Sequence, residues 1–337
     1  MIFDKAVIYQ MGMPYALGML GPGPGAAVAC GTEDHGPVVR MDPPYREARP
    51  LAAGPGGCMG VVVDPGRPSD VYAIMGCFVG YRFQGGAIYR IRPRSDPERV
   101  ADLPFGHRIG FVERAGRRLL VAATLAADKK DAGDWSKPGA VYAAEPGGGP
   151  EGLRLEPVLT GIHKNHGFLV AELDGRRSLL IGGSEGLLAA DLGEAGPRWS
   201  WRQVLPGETS EMALLDLDGD GRPELVTIEP FHGNALRGYR RTASGWTAFW
   251  EAELEFGHGL VAGTFQGRRS LLVSSRAGAK DLLLFQFDPG DPGSPRRIVV
   301  DGGAGAANAL LVAHQGRDHI LSANQAAGQI VLYTPRE

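Results

Sequence analysis

A hairpin unit recurs along this chain, and such a repeat restricts the fold more than any single motif does. His107-Arg-Ile-Gly-Phe-Val-Glu-Arg-Ala-Gly-Arg-Arg118 runs into Leu119-Leu-Val-Ala-Ala-Thr124, and His166-Gly-Phe-Leu-Val-Ala-Glu-Leu-Asp-Gly-Arg-Arg177 runs into Ser178-Leu-Leu-Ile-Gly-Gly183. The same form returns from Glu211 to Ile228, from His258 to Ser274 and from Asn308 to Ser322. A sixth copy spans Met59 to Ile74, and a weaker seventh runs from Tyr15 to Cys30. Each copy is an apolar strand, a tight turn containing Gly and a second apolar strand, which is a β-hairpin signal. The spacing of about 45 to 60 residues suits a four-stranded propeller blade better than a helical repeat. Later strands of each blade are visible as Ala87–Ile91, Ala140–Ala143, Leu282–Phe287 and Gln329–Tyr333.

The expected fold class is therefore all-β: one seven-bladed β-propeller domain of four-stranded blades, covering residues 1–337. The chain stops after the third strand of the last blade, so Lys5–Tyr9 is expected to supply the outer strand and close the ring. With 51 Gly and 25 Pro scattered between apolar runs, the composition fits many tight turns rather than one disordered tail.

Charge removes some functions. Lys plus Arg number 35 and Asp plus Glu 38, a net charge of -3, without the concentrated basic face of a nucleic-acid binder. No apolar run reaches the roughly 20 residues of a spanning helix, and Met1–Lys5 does not begin a signal peptide. Expectation is for a cytoplasmic protein with neither nucleic-acid nor membrane partners. Cys30, Cys58 and Cys77 form no CxxC pair and read as small core residues in a reducing compartment. The sequence does not speak to oligomeric state.

One turn departs from its siblings. Asp216-Leu-Asp218-Gly-Asp220-Gly-Arg-Pro-Glu224-Leu places carboxylates at positions one, three, five and nine with Gly at six, as in the first part of a calcium loop. Asp216, Asp218, Asp220 and Glu224 are the expected calcium ligands, in a structural role. The other reading is an acidic turn that binds nothing.

In a propeller, matching positions of successive innermost strands form a ring around the axis. Here that ring reads His107, His166, Glu211, His258 and Asn308, with Met59 at a sixth position. Three imidazoles and a carboxylate suit a divalent transition metal such as zinc or manganese. Loops on the same face carry Glu185, Phe231, His232, Asn234, Arg276, Lys280, Asn324 and Gln325, and an insertion brings Trp135 and Lys137. His163 and Lys164 lie just before His166. This mixture suits a polar, carbohydrate-like small molecule. Trp135, Glu185, Asn234, Arg276, Asn324 and Gln325 are the expected substrate contacts. His163 and His232 are the expected acid and base, with Lys137 or Lys164 holding an anion. A His after Gly at a blade start is also a common structural hydrogen-bonding residue, and that reading stays open.

The ring histidines together with the Asp216–Leu225 turn resemble the FG-GAP/VCBS-repeat propellers. Within these the chain is similar, over roughly residues 55 to 335, to the propeller portion of aldos-2-ulose dehydratase, which dehydrates keto sugars. The resemblance implies a metal-dependent lyase or dehydratase acting on an oxidised sugar or sugar acid at the channel mouth. This chain has no room for that enzyme's additional cupin-like domains. The alternative is a non-catalytic propeller that binds a carbohydrate or protein partner on the same face. A structural role in an assembly comes third.

Overall fold

A computed structural model describes residues 1–80, 82–147 and 152–336. Twenty-eight strands form seven antiparallel sheets of four, and no helix occurs among the described residues. Blades 1 to 6 are continuous in sequence, running from Pro14 to Ala52, Gly60 to Asp102, Gly106 to Ile162, Gly167 to Leu205, Glu211 to Glu253 and Gly257 to Asp301. Blade 7 is assembled from both ends of the chain. Its three inner strands lie between Ala306 and Pro335, and Phe3–Gln10 pairs antiparallel with Gln329–Pro335 as the outermost strand. Each innermost strand touches those of the blades before and after it, and the first touches the last, so the ring is closed. Seven blades and closure by the N-terminal strand are as expected.

Turn chemistry explains the repeated hairpin. Ala115-Gly116, Asp174-Gly175, Gln266-Gly267 and Gln315-Gly316 each have two successive residues with positive φ, between 48° and 76°. That is the two-residue type I′ turn, whose twist matches that of the flanking strands. A non-Gly residue at its first position is strained, and Ala has no side chain to hydrogen-bond locally there. Ala115→Asn is therefore expected to raise stability by about 0.5–1 kcal/mol, read from the urea midpoint. In blade 5 the Asp216–Pro223 loop stands in place of this turn.

The core lies between blades. Second strands such as Leu119–Ala123, Leu179–Ile181 and Leu271–Val273 are buried on both faces, and their apolar runs are correspondingly continuous rather than alternating. Trp250 packs edge-on against Phe285 and Phe287 of the next blade, so it is an inter-blade residue. The three cysteines are buried, unpaired core residues. No helix is long and apolar enough to cross a membrane.

Candidate active site at the channel mouth

Strand register determines which residues reach the axis. In blades 1, 3, 6 and 7 the innermost strand carries a β-bulge one residue after its start, and the extra residue is Tyr15, His107, His258 or Ala307. A bulge leaves its extra residue out of the ladder and re-aims the side chain. In blades 2, 4 and 5 the matching residue donates its backbone N–H to the second strand just before the ladder begins. These residues are Met59 to Ile74, His166 to Gly182 and Ser210 to Ile228. The ring thus reads Tyr15, Met59, His107, His166, Ser210, His258 and Ala307.

Glu211 and Asn308 fall one residue further along, in the next ring with Arg108. All three line a separate cavity of about 170 Å³ on the far side of the histidines. The long blade 5 turn obscures the offset for Glu211, and the bulge obscures it for Asn308.

On the mouth side, a cavity of about 270 Å³ is lined by Tyr15, Glu33, His107, His166, His232, Arg276 and an apolar wall including Phe83, Leu125, Phe231 and Phe256. His232 comes from the loop after the second strand of blade 5, where its φ of 49° places a non-Gly residue in the left-handed region. Phe231 and Phe256 stack on its imidazole, with centroids at 3.9 and 4.5 Å. The strained backbone and the stacking together turn the ring toward the axis.

His166, His232 and His258 each bring a ring nitrogen to within 4.8 Å of the others. Two of the three are anchored by a second partner. His258 Nδ1–H donates to the Ala307 carbonyl at 2.6 Å, so its Nε2 carries the lone pair. His166 Nδ1 lies 2.7 Å from Glu211, which Arg108 also engages. His232 Nε2 is buried without a hydrogen-bond partner. Beside this trio, the Tyr15 hydroxyl lies 3.0 Å from His107 Nε2 and 3.2 Å from His258 Nε2.

Burial, followed by nearby positive charge (Arg108 at all four and Arg276 at His107, His232 and His258), holds the four imidazoles below the usual histidine range, with His232 at about 3. They are neutral at pH 7, the form that ligates metals. Burial pushes the Tyr15 hydroxyl up to about 12 and the Glu211 carboxyl up to about 7, and it raises Glu33. In chelated, metal-free protein these shifts predict a particular acid response. Below pH 6.5 the unfolded chain protonates four histidines that the folded chain keeps neutral, so stability falls with pH. Between their folded values and 4.5, Glu211 and Glu33 hold protons the unfolded chain has lost, which offsets part of this. The net slope between pH 6 and 5 is expected to be about 2 kcal/mol per unit, read from urea midpoints. A flat profile there would contradict the neutral cluster.

The other expected contacts lie elsewhere. His163 pairs with Glu185 at 2.6 Å and Lys164 with Glu208 at 2.9 Å. Lys137 pairs with Asp128 in the exposed insertion. Asn234 is exposed, and Asn324 is buried within blade 7 against Tyr333 and Ser322. None of these lines the cavity. Trp135 meets Phe231 edge-on at 5.3 Å, which places it beside the mouth. Gln325 binds Arg276 and Glu33. Tyr15 was not among the expected site residues; its place as the blade 1 counterpart of His107 was the signal available.

At the opposite face, Asp216, Asp218 and Glu224 bring carboxylate oxygens within 4.8 Å of one another, and Asp220 is outside that group. Arg240 reaches Asp218 at 3.0 Å, and Arg269 of the next blade reaches Asp216 at 3.3 Å.

Fold and site together define a seven-bladed β-propeller with a neutral histidine cluster on its axis, beneath a cavity of mixed polar and apolar lining. Solved structures share this architecture at low identity. A chain of the mitotic checkpoint complex is 12% identical over 99% of this chain and 93% of its own, with TM-score 0.63. A streptogramin B lyase is 11% identical over 98% and 97%, with TM-score 0.60. A gluconolactonase from Xanthomonas campestris is 12% identical over 98% and 89%, with TM-score 0.53. At such identities the likeness concerns the fold alone. No family model matches the sequence, and no curated protein does.

Proposed function

We propose that this protein is a metal-dependent carbon–oxygen lyase that acts on an oxidised sugar or sugar acid in the mouth cavity. The observation that carries the reading is the convergence of three neutral imidazoles from blades 4, 5 and 6, two of which line the mouth cavity. The donor set fits zinc or manganese: three nitrogen ligands, two held by Glu211 and Ala307, and one orphaned buried nitrogen on His232. Such an ion supplies Lewis acidity that polarises a substrate carbonyl or carboxylate and acidifies the neighbouring C–H.

The remaining chemistry belongs to the chain. Tyr15 Oη lies between the cavity and His107 Nε2, so it would take the substrate's C–H proton as its own proton passes to His107, and the same relay in reverse would give one proton to the departing oxygen and restore the pair. Acid–base work thus passes from His163 and His232 to Tyr15 and His107. The apolar wall of Phe83, Leu125, Phe231 and Phe256 limits water access. Solved structures of this fold include a streptogramin B lyase and a gluconolactonase, which supports a propeller enzyme for sugar-like substrates. The Asp216–Leu225 turn supports kinship with FG-GAP/VCBS propellers. Asp216, Asp218 and Glu224 would hold a structural calcium, for which Arg240 and Arg269 compete through their ion pairs with Asp218 and Asp216.

The test is a screen of keto sugars and uronates for unsaturated product, run with wild type, His258→Ala and Tyr15→Phe. Turnover by wild type that falls at least 100-fold in both variants is the expected result. Turnover unchanged in His258→Ala would sink the proposal.

A further inference from the structure

The mouth cavity contains one permanent cation, and its surroundings indicate which ligands suit it. Arg276 follows the second strand of blade 6, and its backbone N–H donates to the Phe256 carbonyl at 3.0 Å. Its guanidinium stands 5.9 Å from the ring centroids of both Tyr15 and Phe256, beside the histidine cluster. Gln325 Oε1 accepts from its Nη2, while Gln325 Nε2 donates to Glu33 Oε2 at 2.6 Å. Glu33 Oε2 is 3.9 Å from the guanidinium. Arg276 is therefore held along one edge by a polar clamp from blades 1 and 7.

A guanidinium has five N–H donors in a fixed fork, and the clamp engages one nitrogen. The side chain keeps 23% of its surface and faces the cavity, so it is accessible to a ligand. Arg108, by contrast, is engaged by Glu211 and His166. Planar bidentate pairing makes guanidinium the preferred partner of carboxylates. A second anion beside Glu33 would be repelled, but burial raises the Glu33 carboxyl, which weakens that repulsion. Glu33 also has lone pairs that can accept a sugar hydroxyl. A volume of about 270 Å³ is at the small end for ligand pockets, enough for a single sugar ring.

We propose that Arg276 binds the carboxylate and Glu33 a hydroxyl of one acidic sugar unit, so that the site selects uronates over neutral sugars. The inference rests on the lyase reading for the ligand's general class, and it narrows that class.

The experiment is equilibrium binding of galacturonate and galactose to the full chain by calorimetry, with metal content measured on the same samples. Wild type is expected to bind galacturonate at least 10-fold more tightly than galactose. Arg276→Gln is expected to erase that preference while keeping its metal and its melting temperature. Arg276→Lys, which keeps the charge but loses the fork, should fall between them. An unchanged preference in Arg276→Gln, or no preference in wild type, overturns the inference. Wild type that is purified without chelator, holds no axial metal and still shows the preference would overturn the lyase reading and leave the Arg276 assignment standing.

Discussion

The proposed axial transition metal is expected to be lost in His232→Ala, from near one ion per chain to less than a tenth, and kept in His107→Ala. The two histidines differ in what their nitrogens face. His232, His166 and His258 bring ring nitrogens within reach of one ion. His107 stands outside that group, with its Nε2 turned to the Tyr15 hydroxyl. Removing one of three ligands costs far more than the 10- to 100-fold expected for an outer partner. Glu211→Gln, which keeps the shape beside His166 Nδ1 but removes the charge, should therefore weaken metal binding by 10- to 100-fold without abolishing it. Elemental analysis of untagged protein purified without chelator reads all three. Equal metal in His232→Ala and wild type would return His232 to a hydrogen-bonding or acid–base role, and loss in His107→Ala would restore the ring arrangement read from the sequence.

The second large effect concerns the ion pair beneath the histidines. Arg108 and Glu211 are largely buried and meet in a direct salt bridge. Arg108→Met leaves the carboxyl without its counter-charge, and uncompensated buried charges cost about 3–5 kcal/mol. Glu211 has a way to reduce that cost. Burial already lifts its carboxyl to about 7 with Arg108 present, and loss of the guanidinium lifts it further. In the variant the folded chain keeps this proton to higher pH, whereas the unfolded chain releases it near 4.5. Stability therefore drops by about 1.4 kcal/mol per unit as pH rises above 4.5 toward the folded value. Because the wild-type carboxyl is itself held at about 7, the two proteins part only above that pH, and the destabilisation should be about 1.4 kcal/mol larger at pH 8 than at pH 5. Urea unfolding at the two pH values measures it. An equal penalty at both would show that lost packing, not the stranded carboxylate, is the cause. The double variant Arg108→Met/Glu211→Gln should cost less than Arg108→Met alone at pH 8.

Most of the architecture could be read from the chain because its signals are local. An x-Gly pair between apolar runs favours a tight hairpin, and four of the seven hairpins carry it as a type I′ turn. Seven such units leave a propeller as the arrangement that buries every sheet on both faces. The third strand at Gln329–Tyr333 and the lone strand at Lys5–Tyr9 were enough to anticipate ring closure. His166 and His258 were found the same way, by counting back from the turn to the start of the strand.

The site needed the folded molecule. Glu211 and Asn308 were read as members of the histidine ring, yet they occupy the next one, because bulges and a longer turn shift the register by one residue. In a strand one residue changes which way a side chain points, and no local signal marks a bulge here. His232 was recognised as a mouth residue, but its approach to His166 depends on a left-handed backbone and on two aromatic rings from different loops. Tyr15 gained importance only through contacts with His107 and His258, 92 and 243 residues away. Lys137, Lys164 and His163 carry suitable chemistry but are taken up by nearby carboxylates. The sequence by itself determined the repeat, the turns and the blade count, since these follow from nearest-neighbour backbone preferences. Which side chains share the axis was decided by tertiary structure alone, because seven separate strands meet there and each register is set by its own blade.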